Sequence, residues 1–107
     1  MVKRQIIRKI QEFVIELKKN KIKVSKAILY GSQTRGKVHE YSDIDVAIVS
    51  PSFGKDRYEE GAKLFEIAGR IDPLIEPVPI STKSYKNDTW VPLIYELRMN
   101  GVEITLQ

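Results

Sequence analysis

Three prolines, Pro73, Pro77 and Pro79, fall within Ile71 to Ile80, a run that otherwise reads as extended backbone. Proline fixes its own φ and has no N–H for a β-ladder, so a strand tolerates it only where that donor would go unused. All three positions are odd, which puts the missing donors along one side of the strand. The run can then pair through its other side only. It is predicted to be an edge strand, and the rest of the chain must supply the sheet that it borders.

The remaining patterns supply such a sheet and the helices to cover it. Val2 to Lys19 sets Ile6, Ile10, Phe13, Val14 and Leu17 at helical spacing among lysines and arginines, and Asn20-Lys21 ends the helix. VSKAILYGS reads as a short strand closing on Gly31, and SDIDVAIVS as a second strand closed by Pro51, Ser52 and Gly54. From Arg57 to Arg70, Tyr58, Ala62, Phe65 and Ala68 share one helical face, with Leu64 and Ile67 beside them. A last helix, Thr89 to Asn100, holds Pro92 in its first turn, Asn100-Gly101 stops it, and VEITL forms a final strand. With 107 residues there is room for a single α/β domain, 1–107, with one core and no repeat or linker.

Composition narrows the chemistry. No apolar run is long enough to cross a bilayer, and the charged N-terminus lacks the apolar stretch of a signal peptide, so a soluble, cytoplasmic protein is expected. The absence of cysteine excludes disulfides, thiolate metal sites and cysteine nucleophiles, and a single histidine argues against a zinc site. Any metal would be held by oxygen ligands, which points to Mg2+ or Mn2+. The net charge of +4 favours an anionic partner but is equally compatible with plain solubility. His39 reads as a solvent-facing loop residue, and Trp90 and Tyr95 as core or partner-facing aromatics.

The informative stretch is GSQTRGKVHEYSDIDVAIV, Gly31 to Val49. A glycine at a strand-to-turn junction lets backbone approach an anion, while a serine hydroxyl and free N–H groups donate to phosphate oxygens. Arg35 adds a planar charged fork. Asp43 and Asp45 stand two apart at the start of a strand, so both leave one face while Ile44, Val46 and Ile48 take the other, into the core. Two carboxylates on one face repel each other, and a divalent cation between them removes the repulsion.

Gly31-Ser32, Arg35-Gly36 and, after ten residues from Ser32, Ser42-Asp43-Ile44-Asp45 resemble the signature of the nucleotidyltransferase superfamily related to DNA polymerase beta. In particular the stretch is similar to the minimal nucleotidyltransferases that pair with HEPN-domain proteins in toxin–antitoxin modules. The resemblance implies a mixed sheet flanked by helices, with Gly31, Ser32, Arg35, Gly36 and Ser42 around the triphosphate. Asp43 and Asp45 would hold Mg2+ or Mn2+. A third carboxylate is implied on a later strand; Glu76, in LIEPVPIST, is the candidate and Asp72 its rival, although relatives usually carry aspartate there. The implied reaction places a nucleoside monophosphate, AMP from ATP, on a hydroxyl of a partner protein, either a HEPN-domain protein or a second copy of the chain. The alternatives are a catalytically weak antitoxin that masks a HEPN ribonuclease, or transfer to a small molecule. No RNA-reading motif is present, so no direct contact with nucleic acid is expected.

Overall fold

The computed structural model describes residues 2–35 and 42–106. The elements run α1 (Arg4–Lys19), β1 (Lys26–Tyr30), α2 (Ser32–Arg35), β2 (Ile44–Ser50), α3 (Arg57–Ile71), β3 (Ile75–Ser81), α4 (Thr82–Asn87), α5 (Pro92–Asn100) and β4 (Val102–Glu103). The four strands form one mixed sheet in the order β3-β2-β1-β4. β2 and β3 are parallel and joined across α3, while β1 is antiparallel to both β2 and β4. As the prolines required, β3 is an edge strand.

Strand alternation divides the core into two layers. Ala27, Leu29, Ile44, Val46, Ile48 and Ile75 face the helices α1 and α3, meeting Ile10, Phe13, Val14, Leu17, Leu64 and Ile67. Ile28, Ala47, Val49 and Ile80 face the other way, onto Ile94 and Leu97 of α5. β2 is therefore buried on both faces once past Asp45, which suits its apolar sequence.

The structure departs from the sequence pattern in four places. The α3 face that meets the sheet is Leu64, Ile67 and Ala68, whereas Tyr58 and Phe65 are 84% and 54% exposed. Residue 71 closes α3, and the turn at Asp72–Leu74 precedes β3, so Pro73 belongs to that turn. An extra helix, α4, follows β3, with Ser81 as N-cap accepting a hydrogen bond from the Ser84 N–H. α5 begins at Pro92 rather than Thr89, and its stop at Gly101 is extended (φ −69°) rather than left-handed. Glycine is needed at 101 because a Cβ there would collide with the Leu97 carbonyl and with Ile28.

The turn before β3 sets the register of the sheet edge. Asp72 is buried and accepts hydrogen bonds from the Lys9 ammonium and the Leu74 N–H (2.8 Å). The Leu74 carbonyl in turn accepts from the Ile44 N–H at 2.8 Å, which starts the β2–β3 ladder. That register places Glu76 directly opposite Asp45.

Candidate functional site

At the end of β1 the chain bends through Gly31, whose φ of +75° lies in the left-handed region that favours glycine. An added Cβ there would lie 2.5 Å from Asp45 Oδ2, so the bend sits directly against the Asp45 carboxylate. The bend is closed by Thr34, whose N–H (3.1 Å) and hydroxyl (2.8 Å) both donate to the Gly31 carbonyl. The next residue, Ser32, opens α2 and is half-buried. Buried Gln33 donates from Nε2 to the Asp43 carbonyl at 3.2 Å, tying α2 to the approach to β2.

Parity brings Tyr30, Asp45 and Glu76 to the α5 side of the sheet, in register across β1, β2 and β3. Burial raises the Asp45 pKa above the usual carboxylate range, and the Asp43 charge raises it further, although a hydrogen bond with Glu76 opposes both. Glu76 is also raised, by desolvation first, then by the charges of Asp43 and Asp45, and by its hydrogen bond with Asp45. Tyr30 is pushed up by burial and then by the charges of Asp45 and Glu76. All three shifts come first from burial, and the neighbouring acids add to each of them.

Among the described residues, no three acids or histidines enclose a metal-sized space as the side chains stand. The donors nonetheless suit a hard divalent cation: they are carboxylates only, and Glu76 stands opposite Asp45 across the parallel ladder.

Asp72 stands apart from this group. Burial would raise its pKa, but the Lys9 ammonium and the Leu74 N–H outweigh burial and lower it. Its hydrogen bonds hold the turn. Arg35 pairs with Glu96 of α5 at 3.7 Å, with its side chain mostly exposed. Ser42 is half-buried just before Asp43. Gly36 and His39 lie outside the described residues. Sequence reading passed over Gln33, Tyr30 and Glu96. Gln33 could have been suspected from its place in the Gly31–Gly36 stretch, whereas Tyr30 and Glu96 become neighbours of the site only through strand pairing and the placement of α5. Trp90 and Tyr95 are exposed (78% and 58%), so neither belongs to the core.

A bend of glycine and serine closed against a carboxylate, with a second acid across a parallel ladder, defines an acidic site on the open face of a small α/β domain. The family profile described as "Nucleotidyltransferase domain" matches residues 7–100, and the chain belongs to that family. Solved structures share the fold. A protein of Sulfolobus solfataricus presumed to be a nucleotidyltransferase superposes with a TM-score of 0.62 at 14% identity, over 92% of this chain and 78% of that one. A toxin–antitoxin complex with AMP-PNP gives 0.60 at 23% identity, over 94% and 73%. A mutant of the toxin–antitoxin complex MntA–HpeT gives 0.54 at 18% identity, over 90% and 72%. No curated protein sequence matches the chain.

Proposed function

We propose that the chain transfers a nucleoside monophosphate from a nucleoside triphosphate, ATP in the first instance, to a hydroxyl on a partner polypeptide. The observation that carries this reading is the meeting of Asp45 with both the Gly31 bend and Glu76. Phosphate recognition and an acid cluster in one place are what in-line attack on an α-phosphorus needs.

In this reading the Gly31–Ser32 bend supplies a hydroxyl and backbone donors to the phosphates. Asp43, Asp45 and Glu76 would hold Mg2+ or Mn2+, which when bound neutralises phosphate charge and acidifies the acceptor hydroxyl. Glu76 stands on the exposed side of the cluster and is the group that would accept the proton of the incoming hydroxyl. Arg35, which pairs with Glu96, would add a cation for the phosphates. Ser42 and Gly36 would add to nucleotide binding, as the signature they belong to implies.

The toxin–antitoxin complexes among the structural neighbours support a toxin partner, and a HEPN-domain protein is our choice. The test is incubation with α-labelled ATP, Mg2+ and the product of the adjacent gene. Label should pass to that product and fall at least about a hundredfold in Asp43→Asn, the scale on which loss of one charge-stabilising group acts. Glutamate at 76 in place of the usual aspartate favours a second reading, in which the chain masks its partner without modifying it. Tight binding with no label transferred would establish that reading instead.

A further inference from the structure

The sheet fixes Asp45 but stops short of Asp43. The ladder between β1 and β2 ends at the pair Tyr30 and Asp45, and the ladder between β2 and β3 begins at Ile44 and Ile75. Asp43 lies one residue ahead of β2, outside both registers among the described residues, and it is exposed. An exposed carboxylate on backbone that neither ladder holds must be ordered each time it binds a cation, which weakens binding unless another group has already fixed that backbone.

Gln33 supplies such a hold. It stands on α2 directly after Ser32, is 8% exposed, and donates from Nε2 to the Asp43 carbonyl at 3.2 Å, across ten positions of chain. Burying an amide is unfavourable unless its hydrogen bonds are made, and an apolar side chain would fill the same space without needing a partner. Packing alone therefore does not call for glutamine at this position.

The two residues that flank Ser32 reach the two aspartates. Gly31 lies against the Asp45 carboxylate, and Gln33 holds the backbone of Asp43. Thr34 keeps the shape of the bend itself, since its N–H and hydroxyl both donate to the Gly31 carbonyl. The bend and the acid pair are joined at two points, one on either side of Ser32.

We propose that Gln33 is a positioning residue, whose amide holds Asp43 where it and Asp45 can share one divalent cation, in fixed relation to the bend that carries Ser32. The inference rests on the transfer reading above and adds to it a residue that acts through Asp43.

The test uses the whole chain and Mn2+ alone as the probe. The electron paramagnetic resonance signal of free Mn2+ falls on binding, so affinity is read without nucleotide or acceptor. Gln33→Met keeps the length of the side chain and loses the donor, whereas Gln33→Asn keeps the amide and withdraws it by one methylene. Both should weaken Mn2+ binding about tenfold, the scale on which losing a group that orients a metal ligand acts. Ser81→Ala removes the hydroxyl that caps α4 and is the control for a purely structural loss; it should lower the urea midpoint and leave Mn2+ affinity unchanged. With α-labelled ATP, the Gln33 variants should need about tenfold more Mg2+ for half-maximal transfer and approach the parental kcat at saturating Mg2+. Asp43→Asn should not be rescued in this way. Parental Mn2+ affinity in either folded Gln33 variant overturns the proposal and leaves the transfer reading intact. An equal loss of affinity in Ser81→Ala does the same, because it reduces Gln33 to a structural role. Weakened Mn2+ binding in the Gln33 variants of a parent that transfers no label upholds the positioning of Asp43 and overturns the transfer reading. A parent chain that binds no Mn2+ overturns both.

Discussion

At Gly31 two demands coincide: the backbone must take a positive φ, and nothing may project toward Asp45. Gly31→Ala fails both. Left-handed backbone costs about 1–2 kcal/mol for a residue with a Cβ, and that Cβ would also push the Asp45 carboxylate out of place. Denaturant titration should show the stability loss, and nucleotide transfer should fall further than stability alone explains. Asp72 answers a different question. Its folded pKa lies below the ordinary 3.8, so its contribution to stability is present above that value and is lost as pH falls through the folded pKa. Asp72→Asn should therefore lower the Tm at neutral pH, with the gap to the parent chain closing below about pH 3.8 as the parent side chain also becomes neutral. A constant gap down to pH 2 would show that the carboxylate charge plays no part in holding the turn.

Among the elements, α3 is the most instructive. Its sequence holds two overlapping apolar arcs, one through Tyr58, Ala62 and Phe65 and one through Leu64, Ile67 and Ala68. Periodicity establishes that a helix forms but cannot rank two arcs of similar apolar content. Position against the sheet decides between them, and Leu64 and Ile67 go inward. Leu64→Ala should cost about 2–5 kcal/mol, whereas Phe65→Ser should stay within about 0.5 kcal/mol. Urea midpoints for the two variants check this, and equal losses would place Phe65 in the core. β3 was legible for the opposite reason, since a missing N–H is a local chemical fact that no tertiary context can restore. α4 escaped notice because TKSYKN has too few apolar residues to show a period.

For the whole molecule, the acid cluster and the fold oppose each other. Asp45 and Glu76 have raised folded pKa values, so ionising them at neutral pH weakens the folded state. Asp45→Asn should then raise the Tm in metal-free buffer while abolishing transfer. Added Mg2+ should raise the Tm of the parent chain and leave that of the variant nearly unchanged, because only a ligand that binds the folded state shifts the transition. Calorimetry with and without Mg2+ measures both effects, and a magnesium response preserved in Asp45→Asn would remove Asp45 from the cation site. Transfer itself should decline as pH falls through the raised pKa of the pair, since protons and cation compete for the same oxygens.

The chain alone determined whatever depends on covalent character or short-range spacing. The proline-marked edge, the helix and strand periods, the glycine–serine turn and the two aspartates on alternate residues are all of that kind. Glu76 could be named from sequence as a candidate but not separated there from Asp72, because parity fits both. The Lys9 ammonium that helps to hold Asp72 at the β3 turn, and the parallel register that brings Glu76 opposite Asp45, act between residues more than thirty positions apart. The exposure of Trp90 likewise depends on where α5 lands on the sheet. Which surface becomes core, and which acid becomes a neighbour, depends on long-range packing, and no local pattern contains it.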